Sequence, residues 1–70
     1  MMKTEFGMYE HVRILRKNVT GQIIHISTGK YDGKHYYTVE SDVQGYVDDP
    51  DAYPGEWPEY ECTADQLEKI

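Results

Sequence analysis

From Asp48 to Glu61 the chain reads DDPDAYPGEWPEYE, which packs six carboxylates, three prolines and three large aromatics into fourteen residues without one Lys or Arg. Carboxylate oxygens are the hard ligands that calcium takes, and an EF-hand loop places them at alternate positions followed by a glycine. Counted from Asp49, the third position is Asp51, but the fifth is Tyr53 and the sixth is Pro54. The pattern fails, and a solvated acidic loop is the plainer reading of these acids. Softer metals would need His11, His25, His35 and Cys62. These show neither a Cys-x-x-Cys pair nor the His-x₃₋₅-His spacing of zinc sites. By parity His11 and His25 would point outward on neighbouring strands, which would allow them to come near one another. Cys62 reads as a small buried apolar residue rather than a nucleophile. Ser27 and Ser41 fall in a strand and at a strand end, with no nucleophile elbow. No glycine-rich loop is present to cradle a phosphate. We therefore expect neither an enzyme nor a metal or cofactor site.

Aromatics offer a different chemistry. Seven Tyr, one Trp and one Phe are many for 70 residues. Tyr and Trp are the side chains most often found as binding anchors, and prolines lower the entropy lost when a loop docks. The candidate contact residues are Tyr53, Trp57 and Tyr60, with Asp48, Asp49 and Asp51 steering a partner that carries a basic surface. The competing reading is structural: Trp57 and one or two tyrosines fold back as a lid over an undersized core.

Totals narrow the classes further. Seventy residues make a single domain, 1–70, with one cysteine and therefore no intrachain disulfide. A chain of this size buries only about 60% of the surface exposed by its unfolded form, so its stability is marginal. Pairing with a second copy would enlarge the core, which makes a homodimer one simple arrangement. A lone thiol fits a reducing cytoplasm. Met1 to Met8 (MMKTEFGM) lacks the apolar run of a secretory signal, and no stretch approaches the length of a membrane span. Net charge is −6, and between Glu40 and Glu61 there are eight acids and no base. Nucleic-acid affinity comes from Lys and Arg displacing counterions, so general nucleic-acid binding is not expected.

The elements that must position these residues are short strands. In Tyr9 to Leu15, Val12 and Ile14 alternate with His11 and Arg13, the period of a half-buried strand. Arg16-Lys17-Asn18 breaks the pattern. Val19 to Ser27 is β-branched and strand-like, with Gly21 marking a bulge or a close backbone approach. Asp32-Gly33 suits a two-residue type I′ turn. That turn sets Ile26 opposite Val39, Thr28 opposite Tyr37, His25 opposite Glu40 and Ser27 opposite Thr38. Ile24, Ile26, Tyr37 and Val39 then share one face. Gly45-Tyr46-Val47 is read as a short fourth strand. Prolines exclude a central strand across Asp48 to Pro58, which leaves a long loop. Glu59 to Cys62 alternates as a last strand, with Tyr60 and Cys62 on one face. Thr63 and Gln66 form a capping box that opens a terminal helix of at most two turns, in which Leu67 and Ile70 face the same way.

Four or five short antiparallel strands and a short C-terminal helix predict an all-β fold. HVRI, NVTGQIIHI, the Asp-Gly hairpin, YYTVE, YEC and the closing TADQLEKI together resemble the Src-homology-3-like small β-barrels. VTGQIIHI is also similar to the Gly-x-Val/Ile core of the KOW motif. That second likeness implies RNA or protein contact, although KOW proteins bring basic loops where this chain brings acidic ones.

Two functional classes follow. One is a protein-interaction module or accessory subunit that works through the acidic aromatic loop. The other is a nucleic-acid-linked regulator: either an acidic, phosphate-mimicking inhibitor of a basic protein, or a KOW-like RNA contact through Arg13, Arg16, Lys17, Lys30 and Lys34.

Overall fold

One antiparallel sheet organises the chain, and its register explains which side chains are buried. In the computed structural model, which describes residues 6–70, β1 is His11–Ile14, β2 Val19–Thr28, β3 His35–Ser41, β4 Glu59–Thr63 and β5 Leu67–Lys69. Most of the Met1–Met8 segment lies outside the described residues. The strand order is β4-β3-β2-β1-β5. The first and last neighbours do not meet, so the sheet is an open five-stranded layer and not the closed barrel that the sequence suggests. Among the described residues no helix is long and apolar enough to cross a membrane.

The core lies on one face. Val39 pairs with both Ile23 and Tyr60, Tyr37 with Cys62 and Ile26, and Ile14 with Val19 and Leu67. Directly opposed residues share a face, so these rungs stack into a continuous apolar surface. Phe6 closes one end, its ring meeting Tyr37 edge-on at 5.4 Å. The β1–β2 connection turns through Asn18, whose φ of 53° is a left-handed backbone that Asn tolerates better than most residues.

The β2–β3 hairpin differs from expectation in a simple way. The loop is not a two-residue turn; it runs from residue 29 to 34, between Thr28 and His35. Gly33 alone among its residues has positive φ (68°), so Asp32-Gly33 is not a type I′ turn. Asp32 instead works through its side chain, accepting the Lys34 N–H at 3.0 Å and the Tyr36 hydroxyl at 2.7 Å. The longer loop shifts the register by two residues. Ile26 therefore opposes Tyr37, Thr28 opposes His35, Ser27 opposes Tyr36 and His25 opposes Thr38. An even shift keeps every side chain on its face, which is why Ile26, Tyr37 and Val39 still point to the core. A bulge between Ile23 and His25 then changes parity within β2. Ile23, not Ile24, becomes the fully buried isoleucine, and Ile24 is half-buried.

Two further expectations fail. Gly45-Tyr46-Val47 forms no strand, so the connection between β3 and β4 spans 42–58. The C-terminal segment is not a helix. The Thr63–Gln66 box forms, with Gln66 Oε1 accepting the Thr63 N–H at 3.0 Å, but it opens only a 3₁₀ turn, Ala64–Gln66. The chain then extends as β5, which satisfies the outer edge of β1 and buries Leu67 beside Ile14, leaving Ile70 exposed.

Gly21 sits between Val12 and Ser41, two buried residues on the strands to either side. A Cβ there would lie 2.2 Å from the Glu40 carbonyl oxygen and 2.8 Å from Val39 Cγ1. Gly33, by contrast, has open space around it and only its backbone angle to protect. Gly21→Ala should cost about 1–3 kcal/mol through overpacking, and Gly33→Val about 1–2 kcal/mol through left-handed strain. Both are read as lower urea midpoints. An unchanged midpoint for Gly21→Ala would mean that β2 and β3 do not cross this closely.

Candidate functional site

The 42–58 connection is long, yet it is tied down at its start, middle and end. At its start, Ser41 Oγ accepts the Val43 N–H at 3.0 Å, while the Ser41 N–H donates to the Pro58 carbonyl at 2.8 Å. Asp42 follows. Its N–H donates to the Thr20 carbonyl at 3.0 Å, and its carboxylate accepts the Thr20 hydroxyl at 2.8 Å and lies 2.6 Å from His11 Nε2. The His11 contact, with Thr20 second, holds the Asp42 carboxyl below its ordinary value. The loop then closes on itself: the Gly45 N–H donates to the Glu56 carbonyl at 2.7 Å, and the Gln44 amide meets the Glu56 carboxylate. At its end, Tyr53 and Glu59 exchange backbone hydrogen bonds of 2.8 and 3.4 Å, and Pro58 is fully buried.

The strongest tie is ionic. Lys17, carried by the β1–β2 turn, reaches across to the loop. Its Nζ donates to Asp49 Oδ1 and Oδ2 at 3.1 and 2.9 Å and lies 3.0 Å from Asp51 Oδ2. The same ammonium stands 5.8 Å from the centre of the Tyr60 ring. Asp49 also accepts the Asp51 N–H at 3.0 Å, a local turn that presents both carboxylates to one cation. The Asp51 N–H first, then Lys17, lower the Asp49 pKa. Hydrogen bonds to Asp49 and then to Asp51 raise that of Lys17.

The six residues singled out in the sequence thus divide into three groups. Asp49 and Asp51 are clasped by Lys17, which offsets one of their two charges and ties both to the β1–β2 turn. Tyr60 is 3% exposed and belongs to the core, not to a contact surface. Tyr53 and Trp57, at 57% and 39% exposure, remain available, and Asp48 makes no hydrogen bond or ion pair with any described residue. Tyr46, expected in a strand, is 86% exposed on the same loop and belongs with the available group. The fold-back reading fails for Trp57, which is exposed; on this loop Ala52 packs against the core instead, and Pro58 is buried. Sequence reasoning missed Lys17 as the clasp. A base-free acidic run invites a counter-charge from elsewhere, but which base supplies it depends on how the loop crosses the sheet.

Two clefts flank residues 50–53. One, about 370 Å³, lies within the loop between Tyr46, Asp48, Pro50, Tyr53, Pro54 and Pro58. The other, about 380 Å³, lies between the loop and the sheet and contains Arg16, Lys17, Asp51 and Glu61. Cys62 is a free, buried thiol, and burial pushes its pKa to about 11. Among the described residues no group of three or more His, Cys, Asp or Glu side chains could hold a metal ion. Comparison with protein-family models, curated proteins and solved structures returns no match.

The clasp has a defined pH window. A depressed Asp49 pKa means that its contribution is complete above the ordinary carboxylate value of 3.8 and is lost as pH falls through the lower folded value. The raised Lys17 pKa means that its contribution is complete below 10.5 and is lost as pH rises through the higher folded value. Lys17→Met should leave the core folded and raise the Asp49 titration midpoint. The amide resonances of 48–53 should move. Carbon-detected carboxyl titration and an amide spectrum check this; an unmoved Asp49 midpoint would mean that the ion pair does not form in solution.

Proposed function

We propose that this chain is a small protein-binding module whose contact surface is the 42–58 loop. Tyr46, Tyr53 and Trp57 serve as anchors, and a partner with a basic surface is drawn in by the net negative charge. The observation that carries the reading is the division of labour within the loop. Asp49 and Asp51 are held by Lys17 and fix this part of the loop, while three large aromatics on the same loop stay exposed. Burying that much aromatic surface against water is unfavourable to forgo, and a shaped loop loses little entropy on docking.

The phosphate-mimicking alternative draws less support, because Lys17 offsets one of the charges it needs and holds Asp49 and Asp51 to the β1–β2 turn. The RNA-contact alternative is weakened similarly: Arg13 pairs with Glu68 at 2.8 Å and Lys17 with Asp49, which removes two of its five cations. On the preferred reading the chain is a binding module and not an enzyme, and its single buried thiol suits a reducing, cytoplasmic setting. A homodimer remains one form of partner. The meander order with a 3₁₀ turn before the last strand supports an opened relative of the Src-homology-3-like barrels.

The test compares what immobilised wild type, Tyr53→Ala, Trp57→Ala and Asp48→Asn retain from native cell extract. Each variant is first shown to be folded by circular dichroism. We expect a basic protein held by wild type and reduced at least about tenfold by either aromatic truncation, the effect of losing one anchor. Asp48→Asn should lower retention less than either aromatic truncation. Identical retention by all four proteins would reject the loop as the contact surface.

A further inference from the structure

The cleft inside the loop has a chemistry of its own. Its walls are Tyr46, Val47, Pro50, Tyr53, Pro54 and Pro58, and Asp48 stands among them. Of the nearby carboxylates, Asp49 has both oxygens occupied by Lys17 and the Asp51 N–H. Asp48 alone is left uncommitted, with no hydrogen bond or ion pair to any described residue. The site therefore offers one free negative charge, two exposed tyrosine rings and an apolar proline-lined wall.

Each candidate occupant meets this combination differently. An anion would face Asp48 and the surplus of acids along the loop. A bare metal ion needs several hard oxygen ligands, and among the described residues no suitable group exists. A neutral apolar ligand would bury Asp48 without a partner, which is costly. An organic cation on an apolar stem satisfies every feature: its head meets the carboxylate and the ring faces, while its stem lies along the prolines. A cleft of about 370 Å³ is roomier than one ammonium group and matches a head with several methylenes behind it.

Building on the proposed binding role of the loop, we propose that the Tyr46–Asp48–Tyr53 cleft receives a lysine or arginine side chain from the partner protein. The cleft thus reads a single basic residue, while Trp57, which lies outside it, contributes area alongside.

The probe is Nα-acetyl-lysine N-methylamide, titrated into the full chain and followed by amide chemical shifts. The control is the same molecule acetylated on its Nε, which keeps the stem and removes the charge. The charged probe should shift the amides of Val47, Asp48, Ala52, Tyr53 and Gly55 with a dissociation constant on the order of millimolar, and the neutral probe should not. Asp48→Asn and Tyr46→Ala, both at exposed positions, should each weaken the charged probe several-fold with the core resonances unchanged. Equal shifts from both probes, no shift from either, or an unchanged response in Asp48→Asn would overturn the assignment. Loss of partner capture in Trp57→Ala would survive any of those results, so failure of the cleft assignment and failure of the binding role are distinguishable.

Discussion

The sheet has one apolar face and, among the described residues, no second layer to cover it, and the remaining structure answers that constraint. A single layer buries its inner face only by bending and by drawing connecting segments across it. Gly21 lets β2 approach the β3 backbone more closely than a side chain allows. Phe6 covers one end of the face. The 42–58 connection supplies Ala52 and Pro58 as additional cover.

Drawing an acidic loop over an apolar sheet creates an electrostatic difficulty, which Lys17 resolves. Without that ammonium, Asp49 and Asp51 would repel one another above Tyr60. With it, the repulsion becomes an attachment. The device that completes the core therefore also shapes the loop. Tyr46, Tyr53 and Trp57 lie exposed on the same loop. Core completion and the proposed contact surface are two sides of one segment.

Strand content, the single-faced core and the positions of most core residues were legible in the chain. Val12 and Ile14 alternate with polar neighbours, as do Tyr37 and Val39, and Tyr60 and Cys62. These periods survive the two-residue slip of the hairpin because an even slip does not change faces. The bulge at Ile23–His25 was not legible: Ile23 and Ile24 are equivalent to any pattern, and only pairing with Val39 selects one of them. The terminal segment misled for a related reason. Thr63 and Gln66 do cap a turn, but local capping favours only its start, and the open edge of β1 decides how the chain continues.

For the site, composition alone established that a proline-rich acidic aromatic segment must be a connection rather than a strand, since proline donates no ladder hydrogen bond. It also established the sign of the field around the molecule. Which acids are free, which tyrosine is buried and where a cleft opens were decided by tertiary structure. Lys17 and Asp49 are 32 residues apart in the chain, and nothing local to either names the other. Their meeting depends on the turn after β1 and the path of the loop over β4, which exist only once the sheet has formed.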